Sequence, residues 1–402
     1  MAAPQDLRES TTDLARARLA CRPGVESEVG RLRSVLVHRP GSELLEVNPA
    51  NARRMLFAGP VDLGQAQREH DELAATLRAV GVEVLYLEEL LTEVLADPRR
   101  RRRLLDAVMP DARASVRRRL DGLTAPRIAR ALIGGLRESD LPLSAADQGS
   151  SSILRPLPNL LFTRDPSVWI GPGVVVGEMA ARPRRPEPRL FEALYRLHPR
   201  FAGVPSWTHR PASPTPVEGG DVLVVGRGRV VVGISPRTTM SGAARFATAL
   251  LARGVATEVL SVRVPRDAGF HLDLVLSMVD RETFAVWAPM RRALRAHRWQ
   301  ATSSGIAVTA VSDPFRWLAR SSRVIEIGGG AAERHGRTWD RGINVLAIAP
   351  GLVVAYADNH QANARLRAAG VEVIPISGTA LARGRGGPRC LTCPVSRGSD
   401  EE

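Results

Sequence analysis

The sequence contains no lysine. All 56 of its basic residues are arginine, and against 42 acidic residues they give a formal net charge of +14. Such a charge is compatible with nucleic-acid binding, and its densest part is PRRRRRLLD at 98–106. Aromatic residues make up only 4% of the chain, too few to indicate the stacking platforms on which single-stranded nucleic acids bind. We interpret the arginine run as the solvated face of a helix and expect no nucleic-acid partner.

Cysteine and long apolar runs are also scarce. Only Cys21, Cys390 and Cys393 are present, which excludes the disulfide framework of a small secreted protein. No apolar run approaches the roughly 20 residues of a membrane helix, and the first residues, MAAPQDLRES, do not resemble a secretory signal. The sequence therefore predicts a cytoplasmic protein without a membrane partner. Its 402 residues, 44% of them hydrophobic, can bury a large core.

One supersecondary pattern recurs along the chain. Two runs rich in Val, Ile and Leu flank a short turn, as in a β-hairpin. Clear copies occupy 167–179, 221–235, 273–289 and 344–358, and a weaker copy occupies 34–47. Helical patterns followed by a further strand occur at 65–87, 241–262 and 361–376. About five hairpin–helix–strand units predict an α/β fold that closes most simply into a five-bladed α/β propeller.

The segment between the first and second copies has a helical pattern and not a hairpin pattern. Several stretches between 88 and 150 have helical apolar spacing, which predicts an inserted helical bundle. The propeller would then comprise 25–87 and 151–394. The two ends, 1–24 and 395–402, are predicted to be flexible tails.

Polar residues precede the first strand of each hairpin. They occur in NLLFTRDP (159–166), EGGD (218–221), FHLD (270–273) and RGIN (341–344). Some have a purely structural interpretation, since Asp before Pro is common in turns and EGGD can be an acidic Gly-Gly turn. His-x-Asp is more specific, because both side chains point to one face of a strand and are costly to bury unless paired or used. A ring of sheets would bring these strand starts together.

The stretch GRGGPRCLTCP, at 384–394, carries two of the three cysteines. A zinc site would need about four ligands, a thioredoxin-type pair would follow a strand and open a helix, and a Walker loop would contain Gly-Lys-Ser/Thr. A flexible cationic loop instead suits a cysteine nucleophile, because positive charge favours the thiolate. Cys393 could form a reversible disulfide with Cys390 or be a bystander in a mobile loop.

Taken in order, NLLFTRDP, EGGD, GISPRT, FHLD and GRGGPRC resemble the motif set of the arginine deiminases, and the resemblance extends from about Val25 to Pro394. It implies the five-bladed α/β propeller of the guanidine-modifying enzymes. It also implies hydrolysis of L-arginine to L-citrulline and ammonia by a homo-oligomer, with no metal or organic cofactor. One departure is MLFAGPVDLGQAQ at 55–67, where the family commonly has an acidic stretch.

The resemblance also implies catalytic roles. Cys390 matches the nucleophile, His271 the general acid and base, and Glu218 a further acidic residue at the reacting end. Asp165 and Asp273 match the carboxylates that hold the guanidinium. Attack by the thiolate would release ammonia and leave an amidino-cysteine intermediate, which water activated by His271 would hydrolyse.

Substrate-binding residues follow in the same way. Arg184 and Arg237 match the positions that bind the substrate α-carboxylate, although a register shift of one residue in the proline-rich segment would replace Arg184 by Arg185. Three further positions match other substrate contacts: Asn159, Phe162 and Arg385.

Competing functions remain open from the sequence. A related enzyme could act on agmatine or a methylated arginine, or transfer the amidino group. Paired arginines for a carboxylate favour arginine over agmatine, and the helical insertion argues against the smaller methylarginine hydrolases. A non-catalytic arginine-binding regulator would need no nucleophile.

Overall fold

A computed structural model of the chain describes residues 22–137, 152–208, 215–318, 323–328 and 341–399. They form an α/β fold of small, mostly mixed sheets with helices packed against them. The strands are β1 (Leu32–Val37), β2 (Glu83–Tyr86), β3 (Leu136–Arg137), β4 (Ser152–Leu154), β5 (Ser167–Ile170), β6 (Gly173–Val176), β7 (Val222–Gly226), β8 (Arg229–Ile234), β9 (Glu258–Arg263), β10 (Leu276–Asp280), β11 (Thr283–Trp287), β12 (Arg295–Thr302), β13 (Gly305–Val311), β14 (Arg323–Ile327), β15 (Leu346–Ala349), β16 (Leu352–Tyr356), β17 (Glu372–Ile376) and β18 (Cys393–Arg397).

Some of the helices begin at a side-chain cap. They are α1 (Leu63–Ala79), α2 (Leu87–Ala96), α3 (Pro98–Val108), α4 (Ala114–Asp121), α5 (Ala125–Gly134), α6 (Glu187–Leu197), α7 (Met240–Ala252), α8 (Met290–Ala293), α9 (Pro314–Leu318) and α10 (His360–Ala368). Asp62 and Thr239 accept hydrogen bonds from backbone N–H groups in the first turns of α1 and α7. Such caps satisfy donors that have no partner inside the helix. No helix of the described residues is long and apolar enough to cross a membrane.

The four clear hairpins predicted from the sequence are confirmed. β5–β6, β7–β8, β10–β11 and β15–β16 are antiparallel pairs. In the last three, the second strand also pairs in parallel with β9, β14 or β17, which gives a mixed sheet. The unit that begins with β5 and β6 is smaller. In place of a third strand it has only an isolated bridge between Val174 and Ser206.

The hairpin predicted at 34–47 is wrong. β1 pairs in parallel with β2, but its antiparallel partner is β18, from the other end of the chain. Residues Ser42–Glu46 form a short 3-10 helix instead. Pro40 cannot donate to a strand ladder, and the buried Glu43 carboxylate accepts from the Gly41 N–H at 2.6 Å, which turns the chain out of the sheet.

The predicted tail at 395–402 is wrong for its first residues. All five residues of β18 are buried, and Arg397 donates to the carbonyls of Gly30 and Ala347, at 2.8 Å each. The predicted tail at 1–24 is wrong at its end, because Gly24 donates to the Val395 carbonyl at 2.8 Å. Residues 1–21 and 400–402 lie outside the described residues. β18 therefore completes the first sheet, and Gly24 pairs with it.

Helices α2 to α5 occupy most of the predicted insertion, whose residues 138–150 lie outside the described part. Asp97 caps α3 by accepting from the Arg100 N–H at 2.8 Å, and Pro98 starts the helix. The arginine run lies on α3, whose buried residues are Leu104 and Leu105. That the insertion forms a separate bundle stays a prediction.

The β12–β13 hairpin was not predicted. Its first strand joins the third sheet through antiparallel pairing with β9. The sequence of β12, RAHRWQAT, mixes polar and apolar residues without a clear alternation. Its strand conformation therefore depends on pairing with β9, which is distant in sequence.

A buried ion-pair network lies beneath the hairpin starts. Arg389 Nε donates to Glu28 Oε1 at 2.9 Å, its Nη1 donates to Asp273 Oδ2 at 2.8 Å and its Nη2 donates to the Val222 carbonyl at 2.7 Å. Arg164 Nη1 lies 3.3 Å from the same Glu28 oxygen. Burial alone would raise the pKa of Glu28, but the arginines lower it to about 2. The network ties the N-terminal segment to the third and fourth units and to the C-terminal loop.

Replacing Glu28 by Gln should destabilise the protein by about 3–5 kcal/mol, because it leaves buried arginines without their counter-charge. Denaturant unfolding at pH 7 measures this. Since the folded-state pKa of Glu28 is depressed, its contribution is fully present above about 4.5 and is lost as the pH falls toward about 2. The difference between wild type and Glu28→Gln should therefore shrink over that interval.

The matched control is Asp71→Asn, which removes the partner of Arg39 in a pair whose side chains are 43% and 48% exposed. Exposed pairs contribute at most about 1 kcal/mol. Equal and small losses for both variants would contradict a stabilising role for the buried network.

Candidate active site

The residues predicted for the site meet in one place. A short 3-10 turn precedes each of β5, β7 and β10. The turns are Pro158–Leu161, Gly219–Asp221 and Leu272–Leu274. Each turn contains polar residues of the motifs or directly follows one. The C-terminal loop approaches from the opposite end of the sequence. One cavity is lined by Leu56, Asn159, Phe162, Asp165, Arg184, Arg237, Phe270, His271, Gly384, Arg385, Gly386 and Cys390. Glu218 and Asp273 lie against His271 and Cys390.

The cavity is small, with a volume of about 10 Å³. That is room for about one water molecule. The side chains that line the cavity therefore leave little free space for a larger ligand in this conformation.

His271 lies among carboxylates. Its Nε2 is 2.8 Å from Glu218 Oε2, and its Nδ1 is 3.7 Å from Asp165 Oδ1. A Cβ on Gly220 would lie 2.6 Å from His271 Nδ1, so only glycine fits in this part of EGGD. Burial alone would lower the pKa of His271, but the charges of Asp165, Glu218 and Asp221 raise it to about 9. At neutral pH the ring is an imidazolium.

The Cys390 sulfur contacts two groups. Asn344 Nδ2 lies 3.1 Å from Sγ, and Asp273 Oδ2 lies 3.5 Å from it. Burial raises the pKa of the thiol well above its ordinary value, and the charges of Asp273 and Asp165 raise it further, against the opposing charge of Arg389. The expectation that the cationic loop favours a thiolate is therefore wrong for this resting site. Arg389 directs its N–H groups to Glu28, Asp273 and Val222 instead.

Two buried carboxylate oxygens in the site have no hydrogen-bond partner among the described residues. They are Asp165 Oδ1 and Asp273 Oδ1. The second oxygen of each carboxylate is bonded, to Arg184 and to Arg389 respectively. Buried acceptors are rarely left unpaired, so the pair indicates a ligand that presents several N–H donors.

The arginines of the site differ in their partners. Arg184 is buried, donates to the Asp165 carboxylate and lies 2.8 Å from Glu187 Oε2, whereas Arg185 is exposed. Arg184, and not Arg185, therefore lies at the site. Arg237 Nη1 is 3.3 Å from Glu218 Oε2.

The remaining predicted contacts shape the cavity. Asn159 Nδ2 donates to the Met55 carbonyl at 2.9 Å. Phe162 packs against the C-terminal loop so closely that a Cβ on Gly384 or Gly386 would lie 2.6 or 2.5 Å from its ring. The left-handed Arg385, with a φ of 73°, places its guanidinium 4.9 Å from the centre of the Phe270 ring. The glycines of GRGG therefore permit close packing of the loop.

Sequence reasoning missed Asn344, Arg389 and Glu187 as functional residues. Asn344 could have been found, because RGIN occupies the same place before its hairpin as the other motifs. The partners of Arg389 and Glu187 depend on contacts between distant segments, which local patterns do not reveal.

Cys393 lies in β18 and not in a mobile loop. Its Sγ is 3.6 Å from the Ser167 carbonyl oxygen and 3.7 Å from Ser167 Oγ, whereas Cys390 faces Asn344 and Asp273. Both thiols are free and buried. The two sulfurs contact different groups, so the geometry does not favour the redox hypothesis.

Among the described residues, one group of side chains is close enough to hold a metal ion. Asp165, Glu218 and His271 offer ligand atoms within 4.8 Å of one another. A ring nitrogen must be unprotonated to bind a metal, and the carboxylates that surround His271 favour its protonated form.

Solved structures of other proteins share this fold. The DDAH of Pseudomonas aeruginosa, complexed with citrulline, aligns with a TM-score of 0.54 at 15% identity over 90% of this chain and 99% of that one. SxtG, an amidinotransferase from Microseira wollei, aligns with a TM-score of 0.56 at 15% identity over 94% of this chain and 98% of that one. At this identity the likeness concerns the fold alone, an α/β fold with mixed sheets.

Sequence comparison gives the family. A family model described as arginine deiminase matches residues 53–124 and 134–397. Arginine deiminases from Mycobacterium avium and Rhodococcus jostii are 42% and 39% identical over 398 and 396 residues, which is 93% of this chain in both cases and 98% and 97% of the relatives. The chain belongs to the arginine deiminase family.

The reaction of Cys390 with iodoacetamide should depend on pH in a way that reflects its buried thiol. Its rate should still be rising above pH 9, whereas an ordinary cysteine titrates near about 8.5. Modification is followed by mass spectrometry from pH 6 to 10.5, and Cys390→Ala gives the background from the other two cysteines. A plateau below pH 8 would show that the thiolate is already favoured in the free protein.

Proposed function

We propose that this protein hydrolyses L-arginine to L-citrulline and ammonia through a covalent amidino-cysteine intermediate. The observation that carries the proposal is the pair of orphaned carboxylate oxygens, Asp165 Oδ1 and Asp273 Oδ1. Asp165 lines the same cavity as Cys390, and the other Asp273 oxygen lies 3.5 Å from the Cys390 sulfur. A guanidinium is a planar cation with several N–H donors, so it can satisfy both carboxylates at once. Held in this way, it would present its central carbon to the sulfur.

Substrate binding would exchange one guanidinium for another. Arg184 donates to Asp165 in the present structure, at the carboxylate that the substrate is proposed to occupy. On binding, Arg184 would leave Asp165 and, with Arg237, pair with the α-carboxylate of the substrate. Asn159, Phe162 and Arg385 would complete the cavity around its aliphatic part.

The bound cation would also activate the nucleophile. A positive charge next to Cys390 offsets the carboxylates that raise the pKa of its thiol. The thiol proton would pass to Asp273, whose Oδ2 lies 3.5 Å from Sγ. The thiolate would then attack the guanidinium carbon.

His271 would serve both halves of the reaction. As an imidazolium, stabilised by Glu218 and Asp165, it would protonate the departing amino group, which leaves as ammonia when the carbon–nitrogen bond breaks. The neutral ring would then accept a proton from water as the oxygen bonds to the amidino carbon. The carbon–sulfur bond breaks, and the proton held by Asp273 returns to the Cys390 sulfur. The new hydroxyl loses its proton to the released ammonia, which becomes ammonium, and citrulline is released.

The proposal extends to the architecture. Five units, led by β1, β5, β7, β10 and β15, are proposed to form a five-bladed propeller around this site. Support comes from the repeated mixed sheets and from the meeting of the hairpin starts at one cavity. Residues 88–150 are proposed to be an inserted helical bundle.

We also propose a cytoplasmic homo-oligomer that binds no nucleic acid. The oligomer rests on the family resemblance alone, and the location is the one predicted from the sequence. Against nucleic-acid binding, Arg101 of the arginine run donates to the Leu95 carbonyl at 2.8 Å. The helix that carries the run also packs Leu104 and Leu105 into the hydrophobic core.

Incubation of the wild type with L-arginine should yield citrulline and ammonia in equal amounts. Cys390→Ala should yield neither, because no covalent intermediate can form. Cys393→Ser is the matched control, since it changes the other cysteine of the segment and should keep its activity. A folded wild type that binds arginine without turnover would contradict the proposal and favour a regulator.

Replacing Arg237 by Gln should affect the hydrolysis of L-arginine and of agmatine differently, because agmatine lacks the α-carboxylate. Loss of one charged partner should lower kcat/KM for L-arginine by about 30-fold or more. The value for agmatine should change far less. Arg185→Gln, at the exposed neighbour of Arg184, is the control and should leave both values unchanged. Equal losses for both substrates would exclude a contact between Arg237 and the carboxylate.

A further inference from the structure

Asn344 is a buried asparagine that precedes β15 and contacts the loop bearing the nucleophile. Its Oδ1 accepts from the backbone N–H groups of Gly387, at 3.2 Å, and Cys390, at 3.1 Å. Its Nδ2 lies 3.1 Å from the Cys390 sulfur and 3.4 Å from the Asp273 carbonyl oxygen. One carboxamide thus contacts both the backbone and the sulfur of the same cysteine.

These contacts fix the orientation of the carboxamide. Two backbone N–H donors can face only an acceptor, so the oxygen of Asn344 must point to Gly387 and Cys390. The NH2 group then necessarily faces the Cys390 sulfur and the Asp273 carbonyl. Flipping the amide would oppose donors to donors and lose the interactions of its oxygen.

Gly387 provides independent support. A Cβ at this position would lie 2.4 Å from the Asn344 carbonyl oxygen and 2.9 Å from its Oδ1. Any other residue would push the loop away from Asn344. The second glycine of the Gly-Gly pair in GRGGPRC therefore lets the loop approach this carboxamide.

The charge distribution around Cys390 gives the contact a chemical consequence. Arg389, the adjacent cation, directs its N–H groups to Glu28, Asp273 and Val222. Within the described part of the chain, Asn344 is the side-chain donor to the sulfur, while Asp273 faces it as an acceptor. A neutral N–H donor favours the thiolate over the thiol, because it interacts more strongly with the charged form.

We propose that Asn344 is a positioning residue for the nucleophile, which anchors the Cys390 loop through Oδ1 and stabilises and aims the thiolate through Nδ2. The inference deepens the proposed function and rests on it for the identity of the nucleophile. Asn344 is not among the residues that line the cavity, so its effect on catalysis is exerted through Cys390.

Two substitutions separate anchoring from donation. Asn344→Asp keeps an acceptor for the two backbone N–H groups but turns a carboxylate oxygen toward the sulfur. Asn344→Ala removes both functions. In Asn344→Ala, the inflection of the alkylation rate against pH should move up by about one pH unit. At any pH below that inflection, the iodoacetamide reaction of Cys390 should therefore slow by about fivefold to tenfold. It should slow further in Asn344→Asp, where a negative charge replaces the donor.

Turnover should follow the same order. The kcat for L-arginine should fall by about tenfold or more in Asn344→Ala and further in Asn344→Asp, with little change in KM. The matched control is Asn363→Ala, which removes another buried asparagine, whose Nδ2 donates to the Tyr356 carbonyl at 2.9 Å. This control should lower stability without displacing the alkylation profile.

Alkylation profiles of both Asn344 variants that coincide with the wild type would overturn the proposal, even if kcat fell, because the asparagine would then only support the fold. If Asn344→Ala does not fold, the isosteric Asn344→Asp still decides the question. Alkylation does not require turnover. A wild type that forms no citrulline would therefore contradict the proposed function separately from the Asn344 test.

Discussion

The fold around the site depends on the buried guanidinium of Arg389. It bonds Glu28 from the N-terminal segment, the Val222 carbonyl and the Asp273 carboxylate, and it directly precedes Cys390. A buried charge of this kind is tolerated only while its partners stay in place. The segments that supply them are therefore fixed relative to one another. Asp273 is left with one oxygen bonded to Arg389 and one oxygen without a hydrogen-bond partner among the described residues.

The protonation states of the site have a common cause. Asp165 and Glu218 hold His271 as an imidazolium, and Asp165 and Asp273 oppose ionisation of Cys390. A site with this negative charge is suited to a cationic substrate. Without the substrate a thiolate is repelled by the carboxylates, and a bound cation would offset that repulsion. Under the proposed mechanism, this arrangement keeps the Cys390 nucleophile as a thiol until a positive charge arrives, while the acid, His271, is already protonated.

The sequence predicted what local patterns encode. The four hairpins confirmed in the structure each have apolar strands around a turn, and the motif residues lie just before the hairpins in the chain. The β1–β18 pairing was missed because it joins opposite ends of the chain, and GSELLE read as a strand although Glu43 bonds back to Gly41. The protonation state of Cys390 was also missed, because it depends on where the Arg389 guanidinium points and not on its nearness in sequence.

Under the proposed mechanism, exchange of guanidinium groups at Asp165 would allow a nearly filled site to accept a substrate. An Asp165 carboxylate with no partner would be costly to bury, and Arg184 provides that partner in the present structure. A substrate guanidinium replaces like with like, so Asp165 stays paired throughout. Glu187, which also bonds Arg184, can keep the displaced arginine paired while it reaches for the substrate carboxylate. Under the proposed mechanism, the two ends of L-arginine are therefore recognised in one coupled rearrangement.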